Sequence, residues 1–209
     1  MNMRKVSWEK DMLARTRVAP RLTDGKLNGR HLIEHDTRIS GGIYISATPR
    51  LAITVDSNSP EISSIFKNML ERAGKDIPLE EVEENIFLGH VLSITKEAIR
   101  THNSSYIDTV EKFINAPDHE VPLDNFIKLG IGDCRAFALL AGFLTERLTD
   151  MLLLLGTANV DRNTVEGHGG HAWVRYKDFF GKVTIIDAPN SYVGTEENGL
   201  WVYRRPDEE

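Results

Sequence analysis

Apolar residues recur at helical spacing through the middle of the chain. Toward its end they run in alternating or short continuous stretches, and this change of period predicts helices followed by a sheet. In "SPEISSIFKNMLERAG", Ile62, Ile65, Phe66, Met69 and Leu70 share one face, with Pro60 at the entry and Gly74 at the exit. "PLEEVEENIFLGHVLSITKEAIRTH" carries a wide stripe (Val82, Ile86, Phe87, Val91, Ile94, Ala98), which predicts a deeply packed helix. "SSYIDTVEKFINA" predicts a shorter third helix that stops before Pro117. A fourth runs from about Asp133 to Leu148. Beyond it "MLLLLGTANV", "HAWVRYK", "VTIIDAP" and "LWVYRRP" read as four strands separated by glycine-containing turns. Residues 1 to about 60 are rich in turn signals, and "GIYISA" and "RLAITV" suggest one hairpin there. The expected fold class is α+β. An irregular or hairpin extension spans 1–60, and a domain spans 61–209 with a helical part at 61–148 and a sheet part at 150–206.

Composition narrows the partners. Twenty-five basic against 31 acidic residues give a net charge of -6, without a dense basic block. Nucleic acid and anionic membrane are not expected as partners. No apolar run is long enough to span a bilayer, and "MNMRKVSWEKDML" lacks the core of a signal peptide, so a cytoplasmic location is expected. Oligomeric state is not legible.

The chain contains one cysteine, Cys134, in "KLGIGDCRAFALLAGFL". It stands at the first turn of the fourth helix, after Gly130 and Gly132, with Asp133 placed to cap and Arg135 adjacent. Unpaired N–H groups and partial positive charge at a helix N-terminus favour thiolate over thiol. A nucleophilic thiolate needs a proton partner. Of seven histidines, His171 opens the strand "HAWVRYK" after the loop "VEGHGG". The next strand, "VTIIDAP", delivers Asp187. A hairpin whose turn centres on Phe179 sets His171 directly opposite Asp187, where a carboxylate can orient an imidazole. Trp173, Val183 and Ile185 share that face by alternation and read as core; Trp201 reads as packing in the last strand.

A metal site is the rival reading. His168 and His171 stand in "HGGH", and His31 and His35 have i, i+4 spacing. No CxxC or HExxH accompanies them, so neither metal nor cofactor is expected, and His31 and His35 read as surface residues.

"GDCRAFALLAGFL", "GGHAWVRYK" and "VTIIDAP" together resemble the transglutaminase-like superfamily, within the wider papain-like group of cysteine enzymes. The order Cys, His, Asp matches, with steps of 37 and then 16 positions, and the matched core covers roughly residues 120 to 206. The resemblance implies a helix-then-antiparallel-sheet core with Cys134 as nucleophile, His171 as general base and acid, and Asp187 as orienting group. It further implies acyl transfer on an amide of a protein or peptide through a thioester, as transglutaminase, deamidase or peptidase. The alternative is an inactive member of that fold serving as a protein-binding module. Members often add a second oxyanion donor upstream of the cysteine. Asn85, Asn103 and Asn125 are candidates by type, and spacing selects none of them.

Overall fold

The computed structural model describes residues 6–47, 50–74, 84–103, 119–152 and 156–206. The third helix expected at "SSYIDTVEKFINA" and the entry of the second, Pro78 to Glu83, lie outside the described residues.

The described chain is α+β. Its main sheet has five strands, all antiparallel, in the order β1 (Val6–Ser7), β9 (Thr157–Val165), β10 (Gly169–Lys177), β11 (Val183–Asp187), β12 (Tyr192–Gly194). One helix, α5 (Cys134–Leu152), lies against β9 and β10. Its middle is almost wholly buried because Gly142 lets backbone approach closely. A Cβ there would stand 2.5 Å from Ile39 Cδ1 and 3.3 Å from Val160 Cγ2. Around α5 pack α2 (Pro60–Ala73), α3 (Glu84–Ala98) and the short α4 (Leu123–Leu129). The side chain of Ser59 caps α2, accepting from Ile62 N at 3.1 Å.

Strand alternation sorts the sheet residues into two clusters. Ala172, Val174, Tyr176 and Ile186 join the main core with α2, α3 and α5. Trp173, Ile185 and Tyr203 form a second, aromatic cluster with Trp8, Val183, Tyr192 and Trp201 packed against it.

The first sixty residues hold α1 (Lys10–Val18), the hairpin β2 (Lys26–Leu27) and β3 (Arg30–His31), and the antiparallel pair β4 (Ile43–Tyr44) and β5 (Ala52–Thr54). The last pair falls within "GIYISA" and "RLAITV". β5 also pairs in parallel with β7 (Glu120–Pro122). Ile33, Ile39, Tyr44, Ile53 and Val55 are buried in the main core cluster. Buried Glu146 of α5 fastens this segment by accepting from Ile39 N at 2.7 Å and Ser40 N at 3.2 Å.

Three expectations are corrected. The cysteine helix does not end at Leu148; Met151 and Leu152, expected in a strand, continue it, and Leu152 packs on the core. "LWVYRRP" is not a strand, and Tyr192–Gly194 takes the place beside β11. The segment is held by side chains instead: Asn163 donates to Val202 O at 2.7 Å and accepts from Trp201 Nε1, and Arg205 is paired with Asp161. Finally, the β10–β11 register pairs Val174 with Ile186 and Arg175 with Ile185. The turn therefore centres one residue later, on Phe180. Gly181, at φ +84°, and bonds from Gly181 N and Lys182 N to Asp178 set this longer turn. His171 is diagonal to Asp187 rather than opposite. A shift of one full residue in the centre moves the partner by two, so both side chains keep the same face.

Among the described residues no helix is long and apolar enough to cross a membrane.

Candidate active site

Cys134 is the first residue of α5 and is half-buried. The turn that delivers it is tightly determined. Gly130 ends α4 in the left-handed region at φ +66°. Gly132 then passes so close to its neighbours that a Cβ would lie 2.9 Å from Ala136 Cβ and 3.0 Å from Ile99 Cγ2. Asp133 caps α5: its Oδ1 accepts from Arg135 N at 3.1 Å and Ala136 N at 3.3 Å. The cap does not consume the amide of Cys134 itself. The other carboxylate oxygen of Asp133 holds the buried Arg135 guanidinium at 2.7 and 2.6 Å, and Arg135 in turn donates to Leu51 O at 3.0 Å. This fixes the β4–β5 segment beside the cysteine, and buried Tyr44 stands within electrostatic range of the thiol.

His171 lies near the start of β10, where the end of the sheet meets the N-terminus of α5. Its Nε2 is 2.7 Å from Asp187 Oδ2. The ring is close enough to Cys134 that each group shifts the other's hold on its proton. Asp187, at the end of β11, is fully buried and well satisfied. Tyr203 Oη donates to Oδ2 at 2.6 Å, Asn190 Nδ2 donates to Oδ2 at 2.7 Å, and Asn190 N approaches Oδ1 at 3.3 Å. Trp201 packs its ring 5.0 Å from that of His171, and Trp173 stacks at 6.1 Å on a ring tilted by 30°.

The charges follow from these contacts. Burial alone would push the Cys134 thiol up, but hydrogen bonds from His102 and then His171 outweigh it and bring the thiol down to about 7. Asp133 opposes this, because its carboxylate disfavours a second negative charge. Burial alone would push His171 down, but Asp187 and Cys134 outweigh that and raise it to about 9. Burial likewise works against the Asp187 carboxylate, and the bonds from His171, Tyr203 and Asn190 hold it below its ordinary range. Between the two values the stable form is thiolate beside imidazolium.

The three residues singled out in the sequence, Cys134, His171 and Asp187, thus lie in one cluster. The other candidates lie elsewhere. His168 is exposed in the turn before β10. His31 is on β3 with Nε2 2.8 Å from Arg38 O, and His35 bonds the buried Asp161 at 2.8 Å, so it is a tie to the interior rather than a plain surface residue. Among the described residues, no three His, Cys, Asp or Glu side chains are grouped to hold a metal ion. Asn85 and Asn125 are exposed on α3 and α4.

Three residues escaped the sequence reading: His102, Asn190 and Tyr203. Asn190 follows Asp187 by three positions, a spacing typical of a side chain closing on a turn, and could have been noticed. His102 is the direct neighbour of Asn103, one of the candidate oxyanion donors by type. It ends the short strand β6 (Thr101–His102), which runs parallel to β8 (Ile131–Gly132), with His102 beside Gly132. A contact made through such a strand pair has no periodic signature.

Compared with known proteins, the chain matches no family model, no curated protein and no solved structure.

Proposed function

We propose that the protein is a cysteine-dependent acyl-transfer enzyme with a transglutaminase-like core, acting on an amide of a protein or peptide through a thioester. The observation that carries this reading is His171, whose ring bonds a buried carboxylate at 2.7 Å and acts electrostatically on the thiol at a helix N-terminus. The thiolate lone pair of Cys134 forms a bond to the amide carbon, and the carbonyl π pair moves onto oxygen. The unconsumed Cys134 N–H is available to that oxyanion. The C–N bond then breaks, its electron pair leaves with nitrogen, and His171 gives that nitrogen its proton. His171, now neutral, removes a proton from the acceptor that attacks the thioester, and sulfur departs with the S–C pair. Asp187 holds the imidazole orientation and stabilises its charged form without itself accepting a proton. Water as acceptor gives peptide hydrolysis or Gln deamidation; a primary amine gives transamidation.

The test is mass spectrometry of Gln-containing peptides incubated with the protein, with and without a primary amine. The expected result is conversion of the side-chain amide to acid or to the substituted amide, or backbone cleavage. Conversion falls by about 10³-fold or more in Cys134→Ala and in His171→Ala. Product formed equally by Cys134→Ala, or none formed by the native protein from any peptide, overturns the reading. The second outcome leaves a binding module.

A further inference from the structure

The mechanism above uses one histidine, yet a second lies beside the turn that delivers the sulfur. This second one is His102, on an element unrelated to the strand of His171. Its place is set by backbone: Thr101 N donates to Gly130 O and Asn103 N to Gly132 O, each at 3.0 Å, so β6 is laced to the turn immediately before Cys134. Its ring meets that of Phe137 edge-on at 6.0 Å, one helical turn beyond the cysteine. Strand pairing with Gly132 and the Phe137 contact place the ring beside the first turn of α5, near enough for the thiol to raise its proton affinity, while the residue as a whole stays exposed.

We propose that His102 is a second catalytic histidine, whose ring N–H holds the negative charge of the Cys134 thiolate independently of His171. The proposal rests on the acyl-transfer reading for its use in turnover, but the hold on sulfur is a property of the resting site. A thiolate accepting two charge-assisted hydrogen bonds is better stabilised than one accepting a single bond. The other groups facing the sulfur decide whether this matters. Asp133, at the cap, opposes the thiolate, and its charge is matched by the buried Arg135. Tyr44 approaches from β4, with Arg50 near it. Asp187 acts through His171, and His171 itself disfavours a charge on His102. The nearby sulfur outweighs that repulsion and raises the affinity of His102 for its proton. His171 is enclosed and tied to a carboxylate; His102 is open to water. The division of labour follows: His171 moves protons between substrate and acceptor, and His102 keeps the sulfur ionised.

The experiment is the pH dependence of Cys134 alkylation by iodoacetamide in the native protein, His102→Ala, His102→Gln, His171→Ala and the double alanine variant. The native thiol is expected to titrate near about 7. His171→Ala alone leaves it below the free value of ~8.5, and only the double variant reaches that value. His102→Ala raises it while leaving the limiting rate at high pH unchanged, which shows that fold and access are intact. His102→Gln, an N–H donor without charge, recovers part of the difference. Peptide turnover by His102→Ala falls several-fold near neutrality and recovers as pH rises, following the thiolate fraction. If His171→Ala alone carries the thiol to ~8.5 and removing His102 adds nothing, the proposal is overturned and His102 only packs on Phe137. Two rings shown to share the thiolate in a protein without peptide turnover would overturn the acyl-transfer reading and leave this one standing.

Discussion

Cys134 sits among opposing influences, and the hydrogen bonds win. Burial and the capping carboxylate both disfavour a thiolate, yet two imidazoles bring the thiol to about 7. The helix N-terminus, the first reason to suspect a nucleophile, is thus not sufficient: its cap is an aspartate, and the anion depends on histidines from two other elements. With His171 near about 9, turnover is predicted to follow a bell, rising as pH passes about 7 and falling above about 9. Turnover rates measured across that range check it, and a rate that rises monotonically through pH 10 would contradict the pairing. The carboxylate behind His171 gives a second prediction. Asp187→Asn removes the charge that raises His171, so the alkaline limb moves down toward the ordinary imidazole range and turnover falls by about 10²–10⁴-fold. Tyr203→Phe removes only one of the donors to Asp187 and is expected to cost about 1 kcal/mol of stability in a denaturant titration, with a much smaller loss of turnover.

At the scale of elements, the decisive structure is the junction from α4 through β8 into α5. Glycine is required twice there for different reasons: Gly130 for its positive φ, Gly132 for lack of room. Gly132→Ala would press a methyl against Ala136 and Ile99, which belong to packed elements and not to flexible tips. A destabilisation of about 1–3 kcal/mol is expected, together with slower Cys134 alkylation as the first turn shifts. The cap predicts a graded series. Asp133→Asn keeps the acceptor for Arg135 N and Ala136 N but takes the carboxylate charge away from the buried guanidinium. Asp133→Ala loses the cap as well, for a further loss of about 1 kcal/mol. Removing the charge is the larger effect, about 3–5 kcal/mol, because Arg135 is buried. Thermal or urea denaturation of the pair checks the order, and equal stability of the two variants would show that the cap contributes nothing.

Across the whole molecule, buried charge ties the segments around His35 and Arg205 to the main sheet. Asp161, in the middle of β9, is fully buried and bound by His35 and Arg205, and Arg205 also reaches Asp36 at 3.1 Å. Burial works against the Asp161 carboxylate, but His35 and then Arg205 hold it below its usual range, as His171, Tyr203 and Asn190 hold Asp187. A carboxyl whose folded value is depressed stabilises the fold above its unfolded value of ~3.9, and that contribution is lost as pH falls through the folded value. The melting temperature is therefore predicted to hold on the neutral side of ~4 and to fall steeply below it. Arg205→Ala leaves buried Asp161 with His35 but without the guanidinium and should cost up to about 3–5 kcal/mol in denaturation at neutral pH, with a flatter acid limb because Asp161 is no longer held as low. By itself, the sequence determined what depends on neighbours along the chain: the helical face of α2, the cysteine at a helix start after Gly130 and Gly132, the β4–β5 hairpin, and strands carrying His171 and Asp187. Periodicity and local turn chemistry encode these because each is decided within one or two turns of chain. Only the tertiary structure decided the rest: the diagonal register of His171 with Asp187, the side-chain tether of Trp201 and Arg205 in place of a strand, and the approach of His102 and Tyr203. Those contacts join residues far apart in sequence through hydrogen bonds and close packing, which leave no repeat to read before the chain has closed on itself.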